Sequence, residues 1–313
     1  MKTKILYVLI SSEEDYYFEQ VQISVDSLKY HTPNAYTILL VDDTTKNRLY
    51  NLYNDRLALF DEIKSVNIDS RMSQMEKSRI LKTSARKYID GDFLFIDTDT
   101  VIMDDISSID SVNYDMAAVL DAHTLINENP YKELIMRHAK KMYNKIYEKG
   151  KYYNSGVVYV KDNERTRKFY EIWSNNWLNG RFKGVYMDQP SFAKAQNVLS
   201  IVKELDGIWN CQLRHGLLYF NTCKILHYLC TNKSGNRSLC YFQDIEVYKA
   251  IRKYSIKIVN KKYYENVWLT LMPTSIDIIV NKDAIFLQER LIQFLRKHYV
   301  KNSLLYRVIK LIN

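Results

Sequence analysis

Two aspartates separated by one threonine end an apolar segment of the chain. Phe93-Leu-Phe-Ile leads directly into Asp97-Thr98-Asp99. An ionised carboxylate is costly to bury without a partner, so such a pair is expected where a strand end meets water, a cation or both. Two carboxylates at this spacing can supply two oxygen ligands to a hard divalent cation such as Mg²⁺ or Mn²⁺. The stretch is therefore a candidate metal site.

Three explanations are compatible with the aspartate pair, one structural and two functional. The aspartates could cap the following turn, because Asp is a favoured cap residue. The stretch also resembles the first motif of haloacid dehalogenase-type phosphatases, in which the first Asp is a nucleophile towards phosphate and Mg²⁺ is the cofactor. That family carries the motif on its first strand, whereas here it begins only at Asp97. The third explanation is a nucleotide-sugar transferase, in which a divalent cation neutralises charge that grows on the departing diphosphate.

Strands and helices alternate before the aspartates. Apolar runs at Ile5–Ile10, Tyr36–Val41 and Phe93–Ile96 predict buried strands, and helical patterns such as Phe18–Tyr30 lie between them. This alternation predicts an α/β fold with a mostly parallel central sheet and helices on both faces. In such sheets ligands bind at the carboxyl ends of the strands, which is where the two aspartates follow.

Polar residues also border the later predicted elements. Asn154-Ser155-Gly156 opens a predicted strand, Met187-Asp188-Gln189-Pro190 opens a predicted helix, and His227 closes a late apolar strand. Tyr131–Tyr147 is predicted to form one long basic helix. Each of these segments has an ordinary structural explanation, but their order along the chain is informative.

These segments together resemble glycosyltransferase family 8, the glycogenin and bacterial lipopolysaccharide galactosyltransferase group, across roughly the first 235 residues. The stretches that carry the resemblance, in the family's order, are ISVDSLKYHTP (Ile23–Pro33), SRILK with Arg79, FLFIDTDTV, YNSGVVYV (Tyr153–Val160), MDQP and HYLCTNK (His227–Lys233). The resemblance implies a GT-A nucleotide-diphospho-sugar transferase fold. It also implies a metal-dependent enzyme that moves a hexose from a nucleoside diphosphate sugar, a UDP-sugar, to a hydroxyl of a glycan or glycolipid, with retention of configuration.

The resemblance further implies roles for particular residues. Asp97, Asp99 and His227 would hold Mn²⁺ or Mg²⁺. The residues implied to contact the donor are Ser11, Tyr17, Arg79, Asp97 and Lys233, with Arg79 and Lys233 at the diphosphate. The residues implied in catalysis are Asp188, which would orient the donor sugar, Gln189 near the reactive carbon, and Asn154 near the donor sugar.

The end of the chain carries much of the net charge of +9. Residues 281–313 contain seven Lys or Arg against Asp283 and Glu289, and from Leu291 large apolar residues recur at helical spacing. A basic amphipathic helix suits an anionic membrane surface, and a helix packed on the domain with a solvated basic side explains the pattern equally well. We expect a transferase domain at 1–240 and a C-terminal extension at 241–313 that contains this helix.

The composition limits the protein class. With 47% hydrophobic and 26% charged residues the chain is globular, and no apolar run approaches the ~20 residues of a membrane span. The sequence therefore predicts a cytoplasmic protein, peripheral at the inner face of the membrane if the tail binds lipid. Nucleic-acid binding is not expected, because the excess positive charge is concentrated in the tail. The non-enzymatic alternative is a GT-A-like protein that binds a membrane surface without catalysis.

Overall fold

The computed structural model describes residues 1–146, 149–228 and 240–271. One compact unit covers Met1–Thr270, and Leu271–Asn313 form a second unit. The strands in the described residues are β1 (Lys4–Leu9), β2 (Thr37–Asp42), β3 (Glu62–Val66), β4 (Phe93–Ile96), β5 (Thr100–Ile102), β6 (Met116–Leu120), β7 (Tyr153–Val160), β8 (Val202–Glu204), β9 (Cys211–Gln212) and β10 (Ile225–His227). The α-helices there are α1 (Tyr17–His31), α2 (Asp43–Tyr53), α3 (Gln74–Ser84), α4 (Lys132–Lys141), α5 (Glu164–Arg181), α6 (Gln189–Leu199), α7 (Ile245–Tyr254), α8 (Lys262–Glu265) and α9 (Val267–Thr270).

The central sheet has seven strands in the order β3-β2-β1-β4-β7-β6-β8. Strand β1 pairs in parallel with β2 and β4, and its side chains alternate between two cores because successive residues point to opposite faces. Ile5 and Tyr7 pack with α1 and α2 on one face, and Leu6 packs with α3, α5 and α6 on the other. Burial on both faces explains the continuous apolar runs. The predicted α/β fold, with a mostly parallel sheet between two helical layers, is confirmed.

Strand β7 runs antiparallel to both of its neighbours, β4 and β6. A strand that runs antiparallel to its neighbours begins at the edge of the sheet where those neighbours end. The first residues of β7 therefore lie beside the end of β4, and the Asp97 amide donates a 2.7 Å hydrogen bond to the Gly156 carbonyl. This direction brings Asn154 and Ser155 to the carboxyl edge of the sheet.

A second sheet has the order β5-β10-β9. Strand β5 starts directly after Asp99, and β10 pairs with it antiparallel so that His227 lies opposite Thr100. The Tyr228 amide donates a 3.0 Å hydrogen bond to the Asp99 carbonyl and continues this pairing. The small sheet thus carries His227 from a distant part of the sequence to the two aspartates.

Two predicted elements have different bounds in the structure. The helix predicted over 131–147 ends at Lys141, because Tyr143 has φ 52, a left-handed conformation that cannot continue a right-handed helix. The strand predicted to open with Asn154-Ser155-Gly156 begins one residue earlier, at Tyr153.

Residues after 240 extend the first compact unit as far as Thr270. Helix α7 packs on α1, where the Arg252 guanidinium pairs with the fully buried Glu19 carboxylate at 2.8 Å. Lys261 and Tyr264 both contact the Asp26 carboxylate. The boundary near residue 240 stays a prediction, and the basic tail from Leu291 lies outside the described residues. No helix in the described part of the chain has the length and apolar character needed to cross a bilayer.

Candidate active site

A cleft of about 840 Å³ opens at the carboxyl edge of the central sheet. The sequence-predicted site residues that line it are Tyr17, Arg79, Asp97, Asp99, Asn154, Asp188, Gln189 and His227. Ser11 is not among the lining residues; it is buried, and its hydroxyl donates to Asp15 at 2.7 Å. Lys233 lies outside the described residues. The fold therefore gathers at one site residues that are spread from position 17 to position 227.

Asp97, Asp99 and His227 form a cluster suited to a divalent cation. One ligand atom from each residue lies within 4.8 Å of the others. The His227 Nε2 atom is 3.2 Å from the Asp99 Oδ1 atom and 4.0 Å from the Asp97 Oδ2 atom. A Cβ at Gly156 would lie 2.3 Å from the His227 ring and 2.8 Å from Asp97, so only glycine fits behind the cluster. Two carboxylates and an imidazole are donors that suit Mn²⁺, and the carboxylates also suit Mg²⁺.

A chain of buried amides fixes which His227 nitrogen faces this cluster. The Gly156 amide, which can only donate, points at one Asn154 side-chain atom at 2.9 Å, so that atom is the oxygen. The same oxygen lies 3.0 Å from Asn210, which must therefore present its NH₂ group. The Asn210 oxygen then accepts from His227 Nδ1 at 2.9 Å. His227 consequently carries a proton on Nδ1 and turns Nε2 towards the aspartates, and a metal-binding histidine is typically oriented in this way.

The three groups of the cluster shift one another's pKa. Burial raises the pKa of Asp97 above its usual value, and the negative charge of Asp99 adds to this, against the opposing effect of Lys82. Burial would also raise the pKa of Asp99, but the charge and hydrogen bond of His227 outweigh it and lower that pKa. For His227 burial lowers the pKa, and the two aspartates more than offset it. Because burial is the first cause of the raised pKa of Asp97, a bound cation would stabilise the ionised form of this carboxylate.

On the other side of the cleft, Asp188 is held by three side chains. Arg79 lies 3.1 Å from its carboxylate, Lys82 lies 3.4 Å away, and the Ser155 hydroxyl donates to it at 2.8 Å. Burial opposes ionisation, but Lys82, Arg79 and Ser155 outweigh it and lower the pKa of Asp188 to about 2. Asp188 therefore stays a carboxylate, able to accept hydrogen bonds, at every physiological pH.

Lys82 is a site residue that the sequence analysis missed. Its ammonium group is buried between the two acidic groups, 3.1 Å from Asp97 and 3.4 Å from Asp188. Its position three residues after Arg79 puts both cations on one face of α3, which is a signal that the sequence contained. Asn210 was also missed, and it lies in a short 3₁₀ turn with no pattern that could have indicated it.

The two predicted amide residues differ in their freedom to bind a ligand. Asn154 uses its oxygen for Gly156 and Asn210 and donates its NH₂ group to Asp121 at 3.0 Å. Gln189 is the first residue of α6, and its side-chain amide makes no hydrogen bond within the described residues. Gln189 is therefore the amide available to a molecule in the cleft.

The chain's sequence matches the model of the nucleotide-diphospho-sugar transferase family over residues 33–241, more than half of its length. No curated protein matches the sequence. The matched range contains Arg79, both aspartates of the metal cluster, Asp188 and His227.

Several solved structures share the fold at low sequence identity. A galactosyltransferase, LgtC, in complex with donor and acceptor sugar analogs is 13% identical with a TM-score of 0.54, over 83% of this chain and 99% of that one. Mouse xyloside xylosyltransferase 1 in its apo form is 13% identical with a TM-score of 0.51, over 74% and 98%. The bifunctional glycosyltransferase WbbM is 15% identical with a TM-score of 0.53, over 85% of this chain and 52% of that one. At these identities the likeness shows a common fold.

Proposed function

The chain belongs to the nucleotide-diphospho-sugar transferase family and is a GT-A glycosyltransferase similar to family 8, and from that premise we propose that it transfers a hexose from a UDP-sugar to a hydroxyl of a glycan or lipid-linked glycan. One observation carries the proposal. A single cleft holds the cluster Asp97, Asp99 and His227 together with an ionised Asp188. A phosphohydrolase and a non-catalytic surface-binding protein are not favoured, because the family and the fold are those of a transferase.

Asp97, Asp99 and His227 would hold Mn²⁺ or Mg²⁺. A bound divalent cation would supply positive charge to the donor diphosphate, which becomes more negative as the sugar departs. The chain's own contribution is orientation: Gly156 leaves room for the His227 ring, and Asn210 keeps Nε2 directed at the aspartates. Asn154 would act as a positioning residue within this amide chain.

Asp188 would bind the donor sugar through its hydroxyl groups. Its low pKa keeps it an acceptor of hydrogen bonds, and Ser155 fixes one of its oxygens. Arg79 is suited to the diphosphate, since its Nε atom pairs with Asp188 at 3.1 Å while its side chain lines the cleft and is 32% exposed. Lys233 is proposed at the diphosphate on the basis of the resemblance alone.

The nucleotide would lie towards the start of the chain. Tyr17 lines the cleft at the first residue of α1 and offers an aromatic face and a hydroxyl to a base or ribose. Ser11 would contribute by holding the loop before α1 through Asp15, rather than by a free hydroxyl.

Transfer with retention requires the acceptor to attack from the face that the diphosphate leaves. The bond between the anomeric carbon and the phosphate oxygen breaks, the bond to the acceptor oxygen forms, and the acceptor proton passes to the departing phosphate oxygen. Gln189 has an amide too weak to be a nucleophile, so we propose that it holds the donor sugar and acceptor in this geometry. No covalent sugar intermediate is needed.

The proposal is tested by incubating the pure protein with a panel of nucleotide sugars and Mn²⁺ without an acceptor. We expect slow release of UDP from one UDP-hexose, abolished by EDTA, because water can replace the acceptor. The anomeric configuration of the product, followed by NMR, tests retention. Release of phosphate from simple phosphomonoesters, with no hydrolysis of any nucleotide sugar, would instead favour the phosphohydrolase.

A further inference from the structure

Two aromatic side chains stand almost fully in solvent near the cleft. Tyr143 is 83% exposed and Phe182 is 79% exposed, more than any other large hydrophobic side chain in the described part of the chain. Tyr143 follows the end of α4, and Phe182 follows the end of α5. Exposed apolar groups that are rimmed by polar residues mark interaction sites.

These rings belong to one surface, which we call the aromatic–basic surface: Lys141, Tyr143, Arg181, Phe182 and Lys183. The Lys183 ammonium lies 4.2 Å from the Tyr143 ring centroid, so the two segments are in contact. The Arg181 guanidinium lies 4.8 Å from the Phe182 ring centroid. Each exposed ring therefore has a cation over it.

The charge of this surface has one sign. Residues 137–145 and 181–187 contain no Asp or Glu, and their Lys and Arg residues are Arg137, Lys140, Lys141, Lys145, Arg181 and Lys183. Arg181 is partly neutralised by Glu76, which it contacts at 2.9 Å. Lys140, Lys141 and Lys183 form no ion pair with any described residue. The surface therefore presents positive charge to a partner.

The same elements also form the edge of the cleft. Ile135 and His138 of α4 line it, as do Met187, just beyond Lys183 in sequence, and Met75 at the start of α3. Both methionines are about half exposed, at 49% and 47%. A partner that covers the aromatic–basic surface would therefore lie at the mouth of the cleft.

We propose that the aromatic–basic surface binds the anionic surface of a lipid bilayer and holds the cleft against it. Aromatic rings are favoured at the level of lipid headgroups, and lysine side chains reach the headgroup phosphates from the same depth. In combination with the proposed function, the bilayer would present a lipid-linked acceptor hydroxyl to the cleft.

Other partners fit the surface less well. Self-association through it would bring two sets of cations face to face, which costs binding energy. Single-stranded nucleic acid uses exposed aromatic faces to stack bases, but Lys183 and Arg181 already cover one face of each ring. A bilayer needs only the rings' apolar bodies and the positive charge.

The test is co-sedimentation of the full chain with vesicles of phosphatidylcholine alone or mixed with phosphatidylglycerol. We expect binding to the mixed vesicles only, weakening as salt rises. The pair Tyr143→Ser with Phe182→Ser, and the pair Lys141→Glu with Lys183→Glu, should each lower the partition coefficient about tenfold or more. The matched control is Tyr254→Ser with Lys253→Glu. The Lys253 ammonium lies 4.8 Å from the centroid of the 60% exposed Tyr254 ring, and neither residue lines the cleft.

The control pair should bind vesicles as the unchanged protein does. All variants should keep UDP binding and donor hydrolysis in solution, which separates this proposal from the proposed function. Milder Lys141→Gln and Lys183→Gln changes, with melting temperatures measured for each variant, distinguish loss of binding from loss of fold. Vesicle binding that survives both pairs of changes, concentration-dependent dimerisation through this surface, or displacement of the vesicles by single-stranded RNA would overturn the proposal.

Discussion

Asp188 carries a negative charge where a carboxylate has almost no contact with water. Two cations and a hydroxyl hold that charge, and they leave the carboxylate in position for a hydroxyl-rich ligand. Lys82 contacts Asp97 as well, so the sugar-binding side and the metal-binding side of the cleft share one buried cation. A change at either acid therefore alters the electrostatics of the other.

Asp188→Asn should lower kcat much more than it weakens UDP binding. The proposed contact is to the donor sugar, and removing one well-placed charged group from such a site costs about 10²- to 10³-fold in kcat. Steady-state kinetics and UDP affinity by calorimetry measure the two effects. Asp90→Asn, at an 87% exposed carboxylate, is the control and should change neither. A tenfold loss of UDP affinity with kcat unchanged would contradict the assignment.

The same residue gives a stability prediction. The pKa of Asp188 is about 2 when folded, below its usual value of 3.8, so between these pH values the unfolded state binds more protons. Its contribution of about 2 kcal/mol is fully present above pH 3.8 and is lost as pH falls towards 2. Chemical denaturation of the protein and of Asp188→Asn across pH 2–6 should show that the difference between their free energies of unfolding shrinks at the acid end. A difference that does not vary with pH would contradict this.

Asn210 should matter for metal affinity although it touches no ligand. Asn210→Leu removes the acceptor for His227 Nδ1 and should weaken Mn²⁺ binding about 10- to 100-fold. Asn210→Asp keeps an oxygen at that position and should lose less of the Mn²⁺ affinity. Calorimetric titration with Mn²⁺ measures both, and a leucine variant that binds as tightly as the unchanged protein would show that His227 needs no such support.

Some of the site could be predicted from the sequence, and the physical reason differs from residue to residue. Asp97 and Asp99 were predictable because two carboxylates directly after a buried strand require a partner. Lys82 was predictable in principle from its spacing to Arg79. Asn210 was not, because its role depends on a hydrogen-bond chain that three separate segments build.

At the scale of elements, the long apolar strands were predictable and most of the short ones were not. Strands β1, β2 and β4 are buried on both faces, so their sequences are continuous apolar runs. Strands β5 and β9 have three and two residues, too few for a periodic pattern, whereas β10 was predicted as the apolar strand that His227 closes. The direction of β7 was also hidden, because burial on both faces looks the same in a parallel and an antiparallel strand.

The contact between α7 and α1 gives a prediction at this scale. Glu19 is fully buried and depends on Arg252, which is partly exposed, so Arg252→Met should lower the free energy of unfolding by about 2 kcal/mol. Lys253→Met, the exposed neighbour, should change it little. Urea denaturation of both variants tests whether residues beyond 240 stabilise the first compact unit. Equal effects of the two changes would instead support the boundary predicted at 240.

At the scale of the whole molecule, the cation and the nucleotide should stabilise the fold together. If Asp97, Asp99 and His227 hold the cation, UDP should raise the melting temperature only when Mn²⁺ or Mg²⁺ is present, because a ligand that binds the folded state stabilises it. Asp99→Asn should remove the metal-dependent part and leave the protein folded without ligands. Asp104→Asn, an exposed carboxylate outside the cleft, is the control. A UDP-induced shift of the same size in EDTA would contradict the metal assignment.

His227 ends a strand of only three residues, and that strand belongs to a different sheet from β4. A cation held by all three ligands would cross-link the two sheets, and its binding would be thermodynamically linked to the order of the smaller one. Amide hydrogen exchange should report this linkage: Mn²⁺ should slow exchange at Leu226 and Tyr228, and leave Leu6 in the central sheet unchanged. By the same reciprocity, whatever opens the short sheet should also release the metal.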